Sequence, residues 1–175
     1  MGMMNIKGIQ LEVETCNPER IGQAPTLVFL HEGLGSVALW DGKQGPWPQA
    51  LCEALGLPGV VYSRQGYGRS APITDVRGQG RHGPDFMHRQ AWEVLPALLN
   101  ELGIARPILV GHSDGGTIAL LYAARHRVDA CVVLAPHVMV EEVSIASIEQ
   151  AKLAFETGDL RSRLSRFHAD VDGAF

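Results

Sequence analysis

Four short apolar runs, each closed by glycine or polar residues, set the rhythm of this chain. They are TLVFL at 26–30, GVVYS at 59–63, PILV at 107–110 and ACVVL at 130–134. The residues that follow them are HEGLG, RQGYGRS, GHSDGG and APH. A strand is apolar at every position when it is covered on both faces, so runs of this kind predict buried strands of a parallel sheet. Residues 6–13 alternate more loosely and predict an edge strand.

Helical spacing fills the gaps. Met87, Ala91, Val94, Leu95, Leu98 and Leu102 fall on one face of a helix over 86–102, with Asp85 as N-cap and Gly103 as stop. Residues 117–125 (TIALLYAAR) are apolar nearly all round and predict a buried helix. Ile145, Ile148, Ala151, Lys152 and Phe155 mark another, ended by Gly158. Asp159 caps a last segment with Leu160, Leu164 and Phe167 on one side and Arg161, Arg163 and Arg166 on the other. Strands alternating with helices predict an α/β fold: a mostly parallel sheet with helices on both faces. Ligands of such sheets bind beyond the C-terminal ends of the strands, so the glycine-rich exit loops are where chemistry is expected.

Composition narrows the classes. The 175 residues suit one domain, 46% of them are hydrophobic and 19% charged, which excludes a disordered or collagen-like chain. Lys and Arg number 15 against 19 Asp and Glu, a net charge of −4 that argues against nucleic acid as a partner. No apolar run approaches the roughly 20 residues of a membrane span. The first residues, MGMMNIKGIQLEVE, lack the apolar stretch of a secretory signal. The expectation is a soluble, cytoplasmic protein that touches neither membrane nor nucleic acid. Cys16, Cys52 and Cys131 lack CxxC or zinc spacing and read as reduced thiols, Cys131 within a buried strand. His31-Glu32 begins like HExxH but has no second histidine, so neither metal nor other cofactor is expected.

Gly111-His112-Ser113-Asp114-Gly115 fits G-x-S-x-G, and it stands directly between a predicted strand and a predicted helix. That setting demands a turn so tight that its flanks must be small, and it strains the central residue by on the order of 1–3 kcal/mol. Such strain is tolerable where it projects a nucleophile, here Ser113. The N–H of Asp114, at a helix N-terminus, suits a developing negative charge. A second donor is expected from the loop after TLVFL, at Gly33 or Leu34.

With these motifs the chain resembles the α/β-hydrolase superfamily, in its small esterase-like members. LHEGLGS at 30–36 resembles their HGxxG-like oxyanion loop, YSRQGYGRS at 62–70 their R-G-x-G-x-S segment, and VGHSDGG at 110–116 their nucleophile elbow. Two departures stand out: Glu32 where relatives have glycine, and Gln65 between Arg64 and Gly66. The resemblance implies a serine hydrolase acting on carboxylic esters or related acyl compounds, a small-molecule substrate, and His31 and His112 as loop braces.

In the family the triad acid follows the seventh strand and the histidine the eighth, whereas the strand count here stops at the sixth, ACVVL. The expectation is a hydrolase core over 1–140 and a helical, lid-like segment over 141–175, truncated before the usual acid and histidine. Later histidines are His126, His137 and His168; the acids Glu141, Glu142 and Asp159 precede only His168. Glu141, Glu142 and His168 are therefore the candidate acid and base within the chain. His82 and His88 carry no site signal.

Two other readings compete. A catalytically weak or inactive hydrolase-like binding module shares every motif. A dinucleotide-binding domain rests on G-x-G-x-x-A at 33–38 and again at 66–71, where phosphate would meet a helix N-terminus. Finally, an uncovered sixth strand and the apolar side of 145–155 predict a homo-oligomer, a two-fold dimer joined through 130–175.

Overall fold

Lys7 and Gly8, both at positive φ (52° and 85°), fold the N-terminal segment back on itself. A two-residue turn of this kind twists in the sense that antiparallel strands require. The residues predicted as one strand over 6–13 are thereby two: β1, Gly2–Ile6, and β2, Ile9–Cys16, paired antiparallel. The structure, a computed structural model, describes residues 2–42 and 45–175.

Four further strands complete the sheet: β3 (Thr26–Leu30), β4 (Gly59–Tyr62), β5 (Pro107–His112) and β6 (Ala130–Leu134). Their order is β1-β2-β4-β3-β5-β6. β2 meets β4 antiparallel, and β4, β3, β5 and β6 are mutually parallel. The chain leaves β3 to one side for β4 and then crosses to the other side for β5. The C-terminal ends of four parallel strands thus open on one edge, at the point where the winding reverses.

Helices cover both faces. On one side Val28, Leu30, Val60, Tyr62 and Leu109 pack with Ala91, Leu95, Leu98, Ile118 and Tyr122. On the other, Leu27, Phe29, Val61 and Val110 pack with Cys16 and with Cys52 of α1 (Trp47–Leu55). α2 runs over 86–101 as Phe86–Arg89, a wider π turn Gln90–Val94, and Leu95–Glu101. Pro96 has no N–H for the carbonyl of Trp92, and a widened turn beside it accommodates the loss. Asp85 stands at its N-cap position without a side-chain cap bond. α3 is Asp114–Ala123, beginning three residues before the predicted 117 and leaving Leu120 exposed.

β6 corrects the reading of ACVVL as a buried strand. It is the open end of the sheet among the described residues, exposure alternates along it, and Cys131 is only half-buried. Val132 is 50% and Leu134 45% exposed. Beyond it lie α4 (Glu142–Thr157), α5 (Leu160–Leu164) and α6 (Val171–Ala174). Ile145 and Ile148 of α4 are exposed, while Phe155 is buried with its ring stacked 4.1 Å from that of Phe175. No helix among the described residues is long and apolar enough to cross a membrane.

Candidate active site

Ser113 stands between β5 and α3 with φ 52° and ψ −117°, the strained conformation expected for the centre of the turn. Its glycine neighbours follow from how closely three backbones cross here. A Cβ on Gly111 would overlap the carbonyl oxygen of Gly115. A Cβ on Gly115 would overlap the carbonyl oxygen of Leu30, at the end of β3. A Cβ on Gly116 would stand 3.2 Å from Cβ of Pro136. The turn can bring Ser113 over the strand ends only if Gly111 and Gly115 carry no side chain, whereas a Cβ on Gly116 would be a tight contact that a small shift relieves.

The loop after β3 is held from below by Arg64, whose side chain is 2% exposed. Its guanidinium donates to the carbonyls of His31 (2.6 Å) and Glu32 (2.8 Å). The Arg64 N–H donates to Nε2 of His31 at 3.0 Å, leaving Nδ1–H to donate to the Glu32 carbonyl at 2.7 Å. Burial, together with the adjacent Arg64 charge, holds the His31 pKa well below the usual imidazole value. His31 is thus a neutral brace, the part the family resemblance assigns it. Gly33 faces the Asp114 carboxylate, which would lie 3.2 Å from a Cβ there and is 3.9 Å from the Arg64 guanidinium. The N–H groups of Gly33 and Leu34 donate to no other group among the described residues. The Glu32 carboxylate, the departure from the family pattern, sits over Gly35 and 3.6 Å from Nδ1 of His112.

The turn after β4 explains the second motif. Glu12 of β2, 3% exposed, accepts from Ser63 Oγ (2.8 Å), the Arg69 N–H (3.0 Å) and Arg69 Nε (2.8 Å). Ser70 Oγ accepts from the Glu12 N–H and donates to the Ser63 carbonyl. Gly66–Ala71 closes as a turn and 33–38 runs into a short 3-10 turn, Val37–Trp40. Neither opens the long helix that dinucleotide binding needs, so that reading fails on geometry.

His168 is buried in the coil after α5, not on a solvated helix face as its neighbours in sequence suggest. Nδ1 accepts from the Gly68 N–H at 3.0 Å, and Nε2–H donates to the Leu34 carbonyl at 3.1 Å. Both nitrogens are committed to backbone, and burial lowers its pKa. It ties the C-terminal segment to the loop carrying Leu34 and does not meet Ser113. Glu141 and Glu142 begin α4, exposed to solvent, with no ion pair to a histidine among the described residues.

The histidine that meets the serine is His137: Ser113 Oγ and His137 Nε2 are 2.8 Å apart. Sequence reasoning set it aside because the candidate acids follow it. The available signal was its place three residues after the end of β6, the parallel neighbour of β5. Among the described residues no group of three or more His, Cys, Asp or Glu is gathered to hold a metal ion.

Comparison with known proteins agrees with this architecture. The sequence model of a family described as alpha/beta hydrolase fold matches residues 25–159. The sn-1-specific diacylglycerol lipase ABHD11 of Mus musculus is 33% identical over 101 residues, which is 57% of this chain and 28% of that protein. A structure from work on carboxylesterases of the thaumarchaeon Nitrososphaera gargenis superposes with a TM-score of 0.68 at 20% identity, covering 93% of this chain and 57% of that one. Epoxide hydrolase VrEH1 from Vigna radiata gives 0.61 at 18% identity, covering 91% and 48%. The chain therefore spans about a quarter of the curated relative and about half of each of these two structures.

Proposed function

Because the chain belongs to the alpha/beta hydrolase fold family, we propose that it is a serine hydrolase of carboxylic esters or related acyl compounds, with Ser113 as nucleophile. The observation that carries this is the backbone of Ser113. A φ of 52° with ψ of −117° at a strand-to-helix junction is expensive, and its effect is to lift one hydroxyl above the sheet where the strand ends meet. The names of the mouse lipase and of the archaeal carboxylesterases support the ester class.

Ser113 Oγ attacks the acyl carbon, and the carbonyl oxygen takes up the negative charge. The N–H of Asp114, first in its helix and without an intrahelical partner, and the free N–H of Gly33 or Leu34 receive that charge. One such donor contributes about 3–4 kcal/mol to the transition state. Collapse expels the alcohol, leaving an acyl-Ser113 that water hydrolyses.

A fluorophosphonate probe tests the reading, because it reacts covalently with activated serines. Labelling of the wild-type chain at Ser113, mapped by mass spectrometry and lost in Ser113→Ala, is the expected result. An unlabelled wild type, or equal labelling of the variant, overturns it. A series of p-nitrophenyl esters of increasing acyl length then defines the substrate.

A further inference from the structure

The N–H groups of Gly33 and Leu34 take their directions from the peptide planes around them. In a trans peptide the C=O and the N–H of one plane point opposite ways. The Glu32 carbonyl accepts from the Arg64 guanidinium (2.8 Å), from Nδ1–H of His31 (2.7 Å) and from the Gly35 N–H (3.1 Å). The Gly33 N–H shares its plane and so points away from all three. The Leu34–Gly35 plane is also held at both ends: its N–H by the Glu32 carbonyl, and its C=O by Nε2–H of His168 at 3.1 Å. The Leu34 N–H lies on the plane between these two, and its direction follows from both.

His168 is itself seated firmly. Its ring is 4% exposed, and Nδ1 accepts from the Gly68 N–H at 3.0 Å. The Gly68 carbonyl accepts from the next residue, Ala169, at 2.8 Å, so one residue of the turn grips two of the C-terminal segment. Gly68 has a φ of 58°, and a Cβ there would overlap Ser63 Oγ and the Glu12 carboxylate. The buried ring of Tyr67 stands between two imidazoles, its centroid 5.1 Å from that of His31 and 6.0 Å from that of His168. The two histidines that hold the loop after β3 are thus spaced by one aromatic ring, one holding the plane before the free N–H groups and the other the plane after them. On the reading of Ser113 as nucleophile, we infer that His168 is a positioning residue for acyl transfer: through the Leu34 carbonyl it aims the loop N–H groups at the oxygen that gains charge when Ser113 attacks. A buried donor tuned for stability alone could satisfy any carbonyl; this one ends on the loop that faces the nucleophile.

Two conservative variants separate aiming from anchoring. Glutamine can place an amide N–H where Nε2–H stands, and asparagine an amide oxygen where Nδ1 stands. H168Q therefore keeps the donor to Leu34 and loses the acceptor for Gly68, whereas H168N does the reverse. Each gives up one buried hydrogen bond, so their urea midpoints should fall alike. Fluorophosphonate labelling of the 175-residue chain should not. As the Ser113 Oγ–phosphorus bond forms, fluoride leaves with the serine proton, and the phosphoryl oxygen carries the charge that the loop receives. H168N should label about tenfold more slowly than wild type and H168Q within about threefold of it, since losing an oxyanion donor outright costs about 10²–10³ and displacing it costs less. The maximal labelling rate should fall while the probe concentration at half-maximal rate stays unchanged, the mark of an interaction made in the transition state. H168A also lacks the donor and stands in for H168N should that variant fail to fold. Equal slowing of H168N and H168Q, a wild-type rate in a folded variant without the donor, or a loss confined to probe binding overturns the positioning role and leaves the Ser113 reading standing. A wild-type chain that takes no label overturns the Ser113 reading itself.

Discussion

Nε2–H of His168 donates to the carbonyl of Leu34 across 134 positions of sequence, while its Nδ1 accepts from Gly68. One buried ring thereby joins the C-terminal segment, the turn after β4 and the loop after β3. Removing it leaves a buried N–H and a buried carbonyl without partners, each worth about 1–3 kcal/mol. His168→Ala should lower unfolding stability in urea by about 2–4 kcal/mol. A change under 0.5 kcal/mol would show that the segment is not anchored there.

Acid should unfold the protein in two stages, with the same sign. Burial lowers the pKa of both His31 and His168, so below about 6.5 the unfolded chain binds more protons than the folded one and stability falls with pH. Each histidine steepens the curve by at most about 1.4 kcal/mol per pH unit. Glu12 adds the second stage. Burial raises its pKa, but hydrogen bonds from the Arg69 N–H, the Arg69 side chain and Ser63 outweigh burial and lower it. Its contribution is complete above 4.5, its usual value, and is lost as pH falls below that. Urea titrations at pH 7.5, 5.5 and 4 should give successively lower midpoints, and His168→Ala should flatten the first step.

Much of this was legible in the sequence because the local signals were steric. TLVFL reads as a strand buried on both faces, and the glycines around Ser113 sit where crossing backbones forbid a Cβ. What the sequence hid depended on pairing at a distance. Lys7 and Gly8 look like ordinary strand residues until their positive φ splits the segment in two. ACVVL is as apolar as TLVFL, yet its neighbour on one side is solvent among the described residues. His137 carries no motif; only the parallel pairing of β6 with β5 brings it to Ser113. His168 sits among arginines in sequence and inside the protein in space.

The overlap between a Cβ at Gly115 and the Leu30 carbonyl makes a stability prediction. The Leu30 carbonyl and the Gly115 backbone that would carry the Cβ are held by β3 and α3, so neither yields as the far end of a side chain would. Gly115→Ala should destabilise by more than about 3 kcal/mol, against the roughly 1 kcal/mol that alanine ordinarily gains over glycine in a helix. Soluble expression with a wild-type melting temperature would mean that the elbow is looser than the distances imply.

Gly116→Ala separates stability from chemistry. Its Cβ would lie 3.2 Å from Cβ of Pro136 and 3.3 Å from the Gly111 carbonyl oxygen, tight contacts that a shift of a few tenths of an ångström relieves. Alanine recovers about 1 kcal/mol of helix propensity, so the melting temperature should move little. The part that can give way is the Ala135–His137 segment at the open edge of the sheet, since the Gly111 carbonyl belongs to β5 in the interior. Displacing Pro136 moves His137 with it, and hydrogen bonding weakens steeply with misalignment. Fluorophosphonate labelling of G116A should slow by about tenfold or more at near-native stability, because Ser113, whose N–H is held by the Leu134 carbonyl at the same exit, shifts with it, and a small misplacement of a nucleophile is costly. Labelling at the wild-type rate by a folded G116A would show that the nucleophile does not depend on the position of the β6 exit.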